Sequence, residues 1–284
     1  MIKKDNSATV IPIDSDKKFP LFTIKNSNKS FTDIVLSSGN AFIFERIIKE
    51  INNWEVLIKN NLLPMHKFIF YGNSGCGKTL MSEVLSAELK IPLVSVRFES
   101  LISSLLGGTI VNLKKVFEYA HNNPCILFFD EFDAIGRSRG IEQEHGEIKR
   151  SVNTLLCLLD EYTHIYCKSI IIAATNFEQS LDSALWRRFD EMIKFDLPTN
   201  DQISKLIELN IKPFYLDDTS VLRIIDIVKG NSYSEITRLI YNIKKNCVLN
   251  NHKEIIYSDI ANGINSFLYR KNLLPKNKCI RTPV

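Results

Sequence analysis

Cysteine and histidine are scarce in this chain of 284 residues, and neither residue type is arranged as a set of metal ligands. The six cysteines contain no C-x-x-C pair, and the five histidines contain no H-E-x-x-H motif. These absences argue against a zinc site and against the disulfide framework of a small secreted protein. We therefore expect a reduced chain that works in the cytoplasm.

Long apolar runs are missing as well. The longest, residues 125–129 and 170–174, have the length of buried strands, whereas a membrane-spanning helix needs about 20 apolar residues. The amino terminus also lacks the apolar core of a signal peptide. We expect no contact with a membrane.

The charge balance is only weakly basic, with a formal net charge of +4, and much of the surplus lies in the two terminal segments. Solvated tails explain this pattern, and the few aromatic residues among the lysines give a nucleic-acid partner little support. Nucleic acid stays open as an alternative partner.

A glycine-rich run between an apolar strand pattern and a helical pattern is the most informative stretch. Residues 72–79 match the phosphate-binding pattern G-x-x-x-x-G-K-[ST] at every specified position. Glycine lets such a loop curl so that backbone N–H groups face one anion, to which Lys78 adds a positive charge. A glycine-rich turn that binds nothing is the alternative. The residues expected to bind the nucleotide here are Gly72, Asn73, Ser74, Gly75, Cys76, Gly77, Lys78, Thr79 and Leu80.

Two acidic residues follow the buried strand pattern of residues 125–129. Because the strands of a parallel sheet end at one edge, we expect Asp130 and Glu131 beside the phosphate loop. We predict that Asp130 and Thr79 hold Mg²⁺ and that Glu131 is the catalytic residue that polarises the attacking water. A strand that merely ends in two solvated acids is the alternative.

Another buried strand pattern, residues 170–174, leads into Thr175 and Asn176. We expect Asn176 at the same edge of the sheet, where its amide would contact the γ-phosphate and the attacking water. An asparagine that only caps the end of the strand is the alternative.

Strand and helix patterns alternate up to residue 195, and only helical patterns follow. Unbroken apolar strands that alternate with helices indicate a parallel sheet covered on both faces. We therefore predict an α/β fold with a five-stranded parallel sheet, followed by a small all-helical domain. The predicted segments are a flexible basic arm at 1–30, the α/β domain at 31–199, the helical domain at 200–268 and a basic tail at 269–284.

Four motifs resemble, in this order, those of the AAA ATPases. They are G-x-x-x-x-G-K-T at 72–79, I-L-F-F-D-E-F-D-A-I-G at 126–136, A-A-T-N at 173–176 and L-D-x-A-L-x-R-R-F-D at 181–190. The resemblance spans residues 31–268. It implies a P-loop NTPase αβα sandwich with a helical lid domain that binds ATP and Mg²⁺ and hydrolyses the ATP.

The resemblance also implies a homo-oligomeric ring, usually a hexamer, with ATP at the junctions between subunits. A neighbouring subunit would supply catalytic arginine fingers, and Arg187 and Arg188 match their positions. The family usually carries two residues between these arginines, whereas here they are adjacent. The larger role is therefore not assigned to either, and a pair of surface arginines is the alternative.

The family further suggests adenine contacts at Asp33 and Ile34 and a nucleotide-facing position at Ser234. The run G-N-S-Y-S-E-I at 230–236 resembles the start of a lid helix, and the same residues make a good helix N-cap. Leu105 stands where members that thread a substrate carry a pore-loop aromatic residue, and packing against the sheet explains it equally well.

These features predict a Mg²⁺-dependent ATPase whose ring remodels, disassembles or unfolds a protein client. An adaptor would help to recognise the client, and a separate protease is a further partner open to such a ring. The alternative is a DNA-associated ATPase of the loader or initiator type. A third reading is a nucleotide-sensing scaffold without catalysis.

Overall fold

The computed structural model describes residues 11–14, 19–97, 101, 108–133, 145–162, 169–177 and 183–273, without the side chains of residues 97 and 145–149. The chain divides into two compact units, Met1–Asp196 and Leu197–Val284. No helix in the described ranges is both long and apolar enough to cross a membrane. Leu105, the predicted pore-loop position, lies outside the described residues.

The first unit is built around a six-stranded sheet. Its strands are β1 (Thr23–Lys25), β2 (Lys67–Gly72), β3 (Leu93–Arg97), β4 (Ile126–Asp130), β5 (Ile170–Thr175) and β6 (Glu191–Phe195). They lie in the order β1-β3-β4-β5-β2-β6, and all neighbouring pairs are parallel except β1 with β3. The central strands β4 and β5 are almost wholly buried, as expected of apolar strands covered on both faces.

Helices cover both faces of this sheet. They are α1 (Ser38–Asn52), α2 (Trp54–Lys59), α3 (Lys78–Leu89), α4 (Gly108–Asn122), α5 (His145–Glu161) and α6 (Ser183–Trp186). On one face, Ile69 joins a buried cluster with Val116 of α4 and Leu155 of α5. On the other face, Phe70 packs against Phe44 of α1, with ring centroids 5.7 Å apart. The predicted αβα sandwich with five parallel strands is confirmed.

The short edge strand β1 lies within the segment that the sequence predicts as a flexible arm. It pairs antiparallel with β3, with Ile24 opposite Val94. Just before it, Leu21 and Phe22 are buried, and the Phe22 ring centroid lies 4.7 Å from that of Tyr119 on α4. A three-residue strand has too few positions to show a period, so its pairing with a distant strand is invisible in the local pattern. The strand covers a sheet edge that would otherwise expose unpaired backbone groups.

The second unit is helical. Its helices are α7 (Asn200–Ile211), α8 (Asp218–Val228), α9 (Tyr233–Leu249) and α10 (Tyr257–Leu273), the last of which runs past residue 268, the predicted end of the helical domain. Helices α9 and α10 approach closely at Gly263, where an added Cβ would come within 2.6 Å of the Ile243 side chain. The buried Asp259 carboxylate lies 2.9 Å from His252 Nδ1 and closes the loop between these two helices.

Three strands end together at the carboxyl edge of the sheet. Gly72 closes β2, Asp130 closes β4 and Thr175 closes β5. In the order β4-β5-β2, neighbouring strand ends lie about 5 Å apart. The residues that follow these strands therefore meet at one edge, and they form the candidate active site.

Candidate active site

The phosphate loop begins with a close approach of β2 to the edge strand β6. Gly72 has a φ of +128°, and a Cβ at this position would lie 2.2 Å from the carbonyl oxygen of Phe195, so no side chain fits. Gly77 has a φ of 100° and is the N-cap of α3, which receives no hydrogen bond from a capping side chain. The first N–H groups of α3 and the positive end of its dipole therefore face the loop, an arrangement that suits a phosphate.

Lys78 lies at the centre of the site with only 7% of its surface exposed. Its Nζ donates hydrogen bonds to the carbonyl oxygens of Gly72 (2.7 Å) and Asn73 (2.9 Å) and to the side-chain oxygen of Asn176 (2.8 Å). An ammonium group has three donors, so these acceptors use all of them. The predicted catalytic residues Lys78 and Asn176 are thus in direct contact.

The electrostatic surroundings of Lys78 favour an anionic ligand. Burial lowers the pKa of the Lys78 ammonium, and the attraction of Cys76, Asp130 and Asp133 opposes that shift in part. A bound phosphate would bring negative charge next to the ammonium and stabilise its charged form. Lys78 therefore fits the predicted role of binding the outer phosphates.

Glu131 follows β4 in an unusual backbone conformation. Its φ is 53°, a left-handed value that costs roughly 1–2 kcal/mol for a residue with a Cβ. The Glu131 N–H donates to Asp130 Oδ1 (2.9 Å), and the Phe132 N–H donates to the Ala174 carbonyl on β5 (2.9 Å). These two bonds stabilise the turn, in which Phe132 is buried and Glu131 is exposed. The turn presents the Glu131 carboxylate at the edge of the sheet, as a residue that polarises water requires.

The oxygen ligands predicted for Mg²⁺ are present at the same edge. Asp130 is half-buried at the end of β4, and Thr79 is exposed in the first turn of α3. Hydroxyl and carboxylate oxygens are the donors that Mg²⁺ prefers, and the ion usually takes one or two protein ligands beside phosphate and water. The described residues include no cluster of three or more His, Cys, Asp or Glu side chains that would form a complete metal cage. The residue types fit an ion that is shared with a bound nucleotide.

Asp133 belongs to this site, although the sequence prediction does not include it. It is 1% exposed, and its Oδ1 accepts hydrogen bonds from Thr175 Oγ1 (3.3 Å) and from the Asn176 N–H (3.4 Å). The one sequence signal for it is a third acidic residue in the run that begins with Asp130 and Glu131. That signal names no partner, because the contact depends on the pairing of β4 with β5.

One of the two predicted adenine contacts lies beside the phosphate loop. The Cδ1 atom of Ile34 lies 3.7 Å from the position of a Cβ built on Gly77. Asp33 instead shapes the preceding turn, since its Oδ2 accepts a hydrogen bond from the Ser30 N–H (2.9 Å). The backbone that follows this turn carries Ile34 toward the loop. Contact of either residue with adenine stays a prediction.

The two predicted arginine fingers, residues 187–188, directly follow α6 and precede β6. The preceding residue, Trp186, packs on β2, and its ring centroid lies 5.4 Å from that of Tyr71. Soon afterwards the Asp190 N–H donates to the Lys67 carbonyl at the start of β2 (2.8 Å). The arginines thus lie between a ring contact near the carboxyl end of β2 and a hydrogen bond at its amino end.

The two arginines differ in their contacts. Arg188 Nε donates to Asp160 Oδ2 near the end of α5 (3.0 Å), and its Nη1 donates to the Ala184 carbonyl (2.7 Å). Arg187 is exposed, and its side chain has no hydrogen bond or ion pair with the part of the chain that the structure describes. Arg188 is therefore held within its own chain, whereas Arg187 is available to another molecule.

Asp190 fixes the segment that follows the arginines. Its carboxylate accepts hydrogen bonds from the backbone N–H groups of His66 (2.8 Å) and Lys67 (3.0 Å), and it lies 2.9 Å from His66 Nδ1. Burial acts to raise the pKa of Asp190, but the hydrogen bonds and the attraction of His66 outweigh it and lower the pKa to about 2. The ionised carboxylate thus ties this segment to β2.

Ser234 lies in the second unit, in the first turn of α9. Its Oγ is 3.2 Å from Ser232 Oγ, and the Glu235 carboxylate accepts the Ser232 N–H (2.8 Å). These contacts cap the helix, as the N-cap interpretation of the sequence expects. Its contact with a nucleotide stays a prediction.

The residues of this site fall within a known family pattern. The family model described as "ATPase family associated with various cellular activities (AAA)" matches residues 68–197. The matched segment runs from β2 through the phosphate loop and both arginines to the end of β6.

Several curated proteins are similar to this chain. One, described as an uncharacterized AAA family ATPase, y4kL, from Sinorhizobium fredii, is 39% identical over 234 residues, which cover 82% of this chain and 69% of y4kL. Peroxisomal ATPase pex6 of Schizosaccharomyces pombe is 29% identical over 76% of this chain, and the ATP-dependent zinc metalloprotease FtsH of Pelodictyon phaeoclathratiforme is 33% identical over 61%. The match covers only 23% of pex6 and 27% of FtsH.

Proposed function

This chain belongs to the AAA family of ATPases, and we propose that it hydrolyses ATP in a ring of identical subunits and thereby remodels a protein client. In this proposal Lys78 binds the outer phosphates, and Glu131 polarises the attacking water. Mg²⁺ held by Thr79 and Asp130 would neutralise charge on the phosphates.

One observation carries the ring arrangement, namely that Arg187 is exposed and its side chain forms no hydrogen bond or ion pair with the described residues of its own chain. Phosphoryl transfer needs positive charge on the transferred group in addition to the lysine of the phosphate loop. The exposed Arg187 can supply this charge to the site of a second copy of the chain. A contact in which each subunit reaches the site of the next is heterologous, and such contacts form a ring when the rotation from one subunit to the next closes. A hexamer is the ring size that the family suggests.

Mixing two inactive variants tests the shared site. Arg187→Ala retains Glu131, and Glu131→Gln retains Arg187, so a junction between one subunit of each kind contains a complete set of catalytic residues. We expect each variant alone to lose ATP turnover and a mixture in equal amounts to regain it at about a quarter of the junctions. Mixing should be done before assembly with ATP.

The matched control is the double variant Glu131→Gln/Arg187→Ala mixed with Glu131→Gln. No junction in that mixture contains an intact Glu131, so turnover should stay absent. If the first mixture is as inactive as this control, the arginine does not act between subunits. The ring is also contradicted if turnover per subunit does not depend on protein concentration and no assembly forms in the presence of ATP.

The relatives support a protein as the client. One of them is named as a metalloprotease, and a protease acts on proteins. Glu131→Gln protein, purified with ATP after nuclease treatment, should retain a protein that stimulates the ATP turnover of the wild-type chain. Nucleic acid that activates turnover in a salt-sensitive manner would instead support the alternative of a DNA-associated ATPase.

A further inference from the structure

We propose that Asp133 is a positioning residue for ATP hydrolysis. It fixes the backbone at the end of β5 and thereby positions the side chain of Asn176. The proposal rests on the proposed ATPase function of the carboxyl edge. It assigns a role in the reaction to a residue that the sequence prediction does not include.

The turn after β4 brings Asp133 to this position. The Phe132 N–H donates to the Ala174 carbonyl (2.9 Å), so the chain that leaves β4 is bonded to the side of β5. The next residue is then Asp133, whose side chain is 1% exposed and lies against Thr175 and Asn176. In this turn the exposed side chain of Glu131 and the buried side chain of Asp133 thus flank Phe132.

The hydrogen bonds of Asp133 define the backbone at the end of β5. Its Oδ1 accepts the hydroxyl of Thr175 (3.3 Å) and the N–H of Asn176 (3.4 Å). The Thr175 hydroxyl has one proton, and while it donates to Asp133 its oxygen accepts the Phe177 N–H (3.1 Å). Asp133 and Thr175 together thus bind two successive backbone N–H groups where the strand gives way to a loop.

The same network reaches the phosphate-binding lysine. The side-chain oxygen of Asn176 accepts a hydrogen bond from Lys78 Nζ (2.8 Å), so one residue separates Asp133 from the ammonium. Asp133 is also among the groups whose attraction raises the pKa of Lys78 against the effect of burial. Displacing Asp133 would move Asn176 relative to Lys78, and misplacement by about 1 Å costs a catalytic site about 100-fold in rate.

A purely structural role accounts poorly for a carboxylate here. Transfer of an ionised group to the interior is unfavourable, and an apolar side chain of similar volume often stabilises a buried position more. Asn has nearly the shape of Asp and keeps one acceptor oxygen, but it lacks the charge. A role in filling space alone therefore predicts that Asp133→Leu is tolerated. A positioning role through Oδ1 predicts a loss of turnover in that variant and a smaller loss in Asp133→Asn, which keeps the acceptor.

A double-mutant cycle tests the proposal. We expect Asp133→Leu, which removes the acceptor, to lower kcat at least about tenfold and to change KM and ATP affinity by less than about threefold, and Asp133→Asn to lose less. Asn176→Ala should lower kcat as well, and the double variant should be no slower than Asn176→Ala alone, because Asp133 acts through Asn176. Asp259→Asn is the matched control, since it removes a buried carboxylate from the second unit and should leave kcat unchanged.

Other results would overturn the proposal. Losses of kcat that multiply in the double variant mean that Asp133 does not act through Asn176, and a raised KM with unchanged kcat means that it contributes only to binding. If Asp133→Leu does not fold, Thr175→Val removes the hydroxyl bond with little change in shape, and an unchanged kcat in that variant counts against the network. A wild-type chain that fails to hydrolyse ATP contradicts the proposed function itself, and this outcome is seen before any variant is made.

Discussion

The ammonium of Lys78 and the side-chain oxygen of Asn176 lie 2.8 Å apart, in direct hydrogen-bond contact. The other two donors of the ammonium bind backbone carbonyl oxygens of Gly72 and Asn73. A phosphate oxygen that approaches Lys78 must therefore replace one of three acceptors. Asn176 is the only one of the three on a side chain, so it moves at the lowest cost. ATP binding is expected to release its amide toward the γ-phosphate.

This relationship predicts opposite behaviour for two substitutions. Lys78→Ala should weaken ATP binding about 10- to 100-fold, because it removes a charge-assisted hydrogen bond to phosphate. Asn176→Ala should leave ATP affinity unchanged or slightly higher, because the phosphate no longer competes with the amide, while turnover falls at least about tenfold. Equilibrium binding of a fluorescent ATP analogue, measured beside steady-state turnover, separates the two effects. An Asn176→Ala variant that binds ATP as weakly as Lys78→Ala would show that the amide contributes to binding rather than to the reaction.

Glu131→Gln should retain ATP binding and lose turnover. The amide keeps the size of the side chain, and the left-handed backbone is unchanged, but glutamine accepts no proton from water. General-base catalysis contributes about 100- to 10,000-fold, so a loss of at least about 100-fold is expected. Glu118→Gln, on the exposed side of α4, makes the same chemical change away from the site and should hydrolyse ATP normally. Weak ATP binding by Glu131→Gln would indicate that Glu131 belongs to the nucleotide pocket instead.

Local features and the meeting of strand ends at one edge were predictable from the sequence, whereas individual contacts between distant residues were not. The phosphate loop at 72–79 and the buried strands are local patterns, and the structure has that loop between β2 and α3. The contact of Asp133 with Asn176 depends on two strands that are distant in the chain. The pairing of β1 with β3 and the ion pair between Asp160 and Arg188 have the same origin. Composition and periodicity describe how one segment is buried, but not which other segment lies beside it.

The arginine pair was ambiguous in sequence because the two residues are adjacent, and their contacts suggest different roles. Arg188 is held by Asp160 and the Ala184 carbonyl, whereas Arg187 is exposed. We expect Arg187→Ala to lower turnover at least about tenfold with no change in melting temperature or ATP affinity, since arginine fingers contribute far more than this. Arg188→Ala should lower the melting temperature as well, because it removes contacts between α5 and α6.

Asp160→Ala serves as the control for the arginine pair. If Arg188 acts mainly by holding the loop, Asp160→Ala should reproduce its effects on stability and on turnover. Complementation by mixing with Glu131→Gln should succeed for Arg187→Ala and should be weaker for Arg188→Ala. Equal complementation by both variants would mean that both guanidinium groups reach the neighbouring site.

The contact of Asp190 with His66 predicts a pH-dependent contribution to stability. The pKa of Asp190 is lowered from 3.8 to about 2, so the folded state favours the ionised carboxylate. Its contribution is therefore complete above 3.8 and is lost as the pH falls from 3.8 toward 2. Asp190→Asn should lower the free energy of unfolding by about 1 kcal/mol at neutral pH, a value that allows for solvent screening, and the difference from wild type should shrink in acid. Asp196→Asn, whose ion pair with Lys194 is exposed, should change stability little at any pH. Urea unfolding of the three proteins across this pH range measures the difference, and a difference that stays constant into acid would show that Asp190 stabilises the segment without its charge.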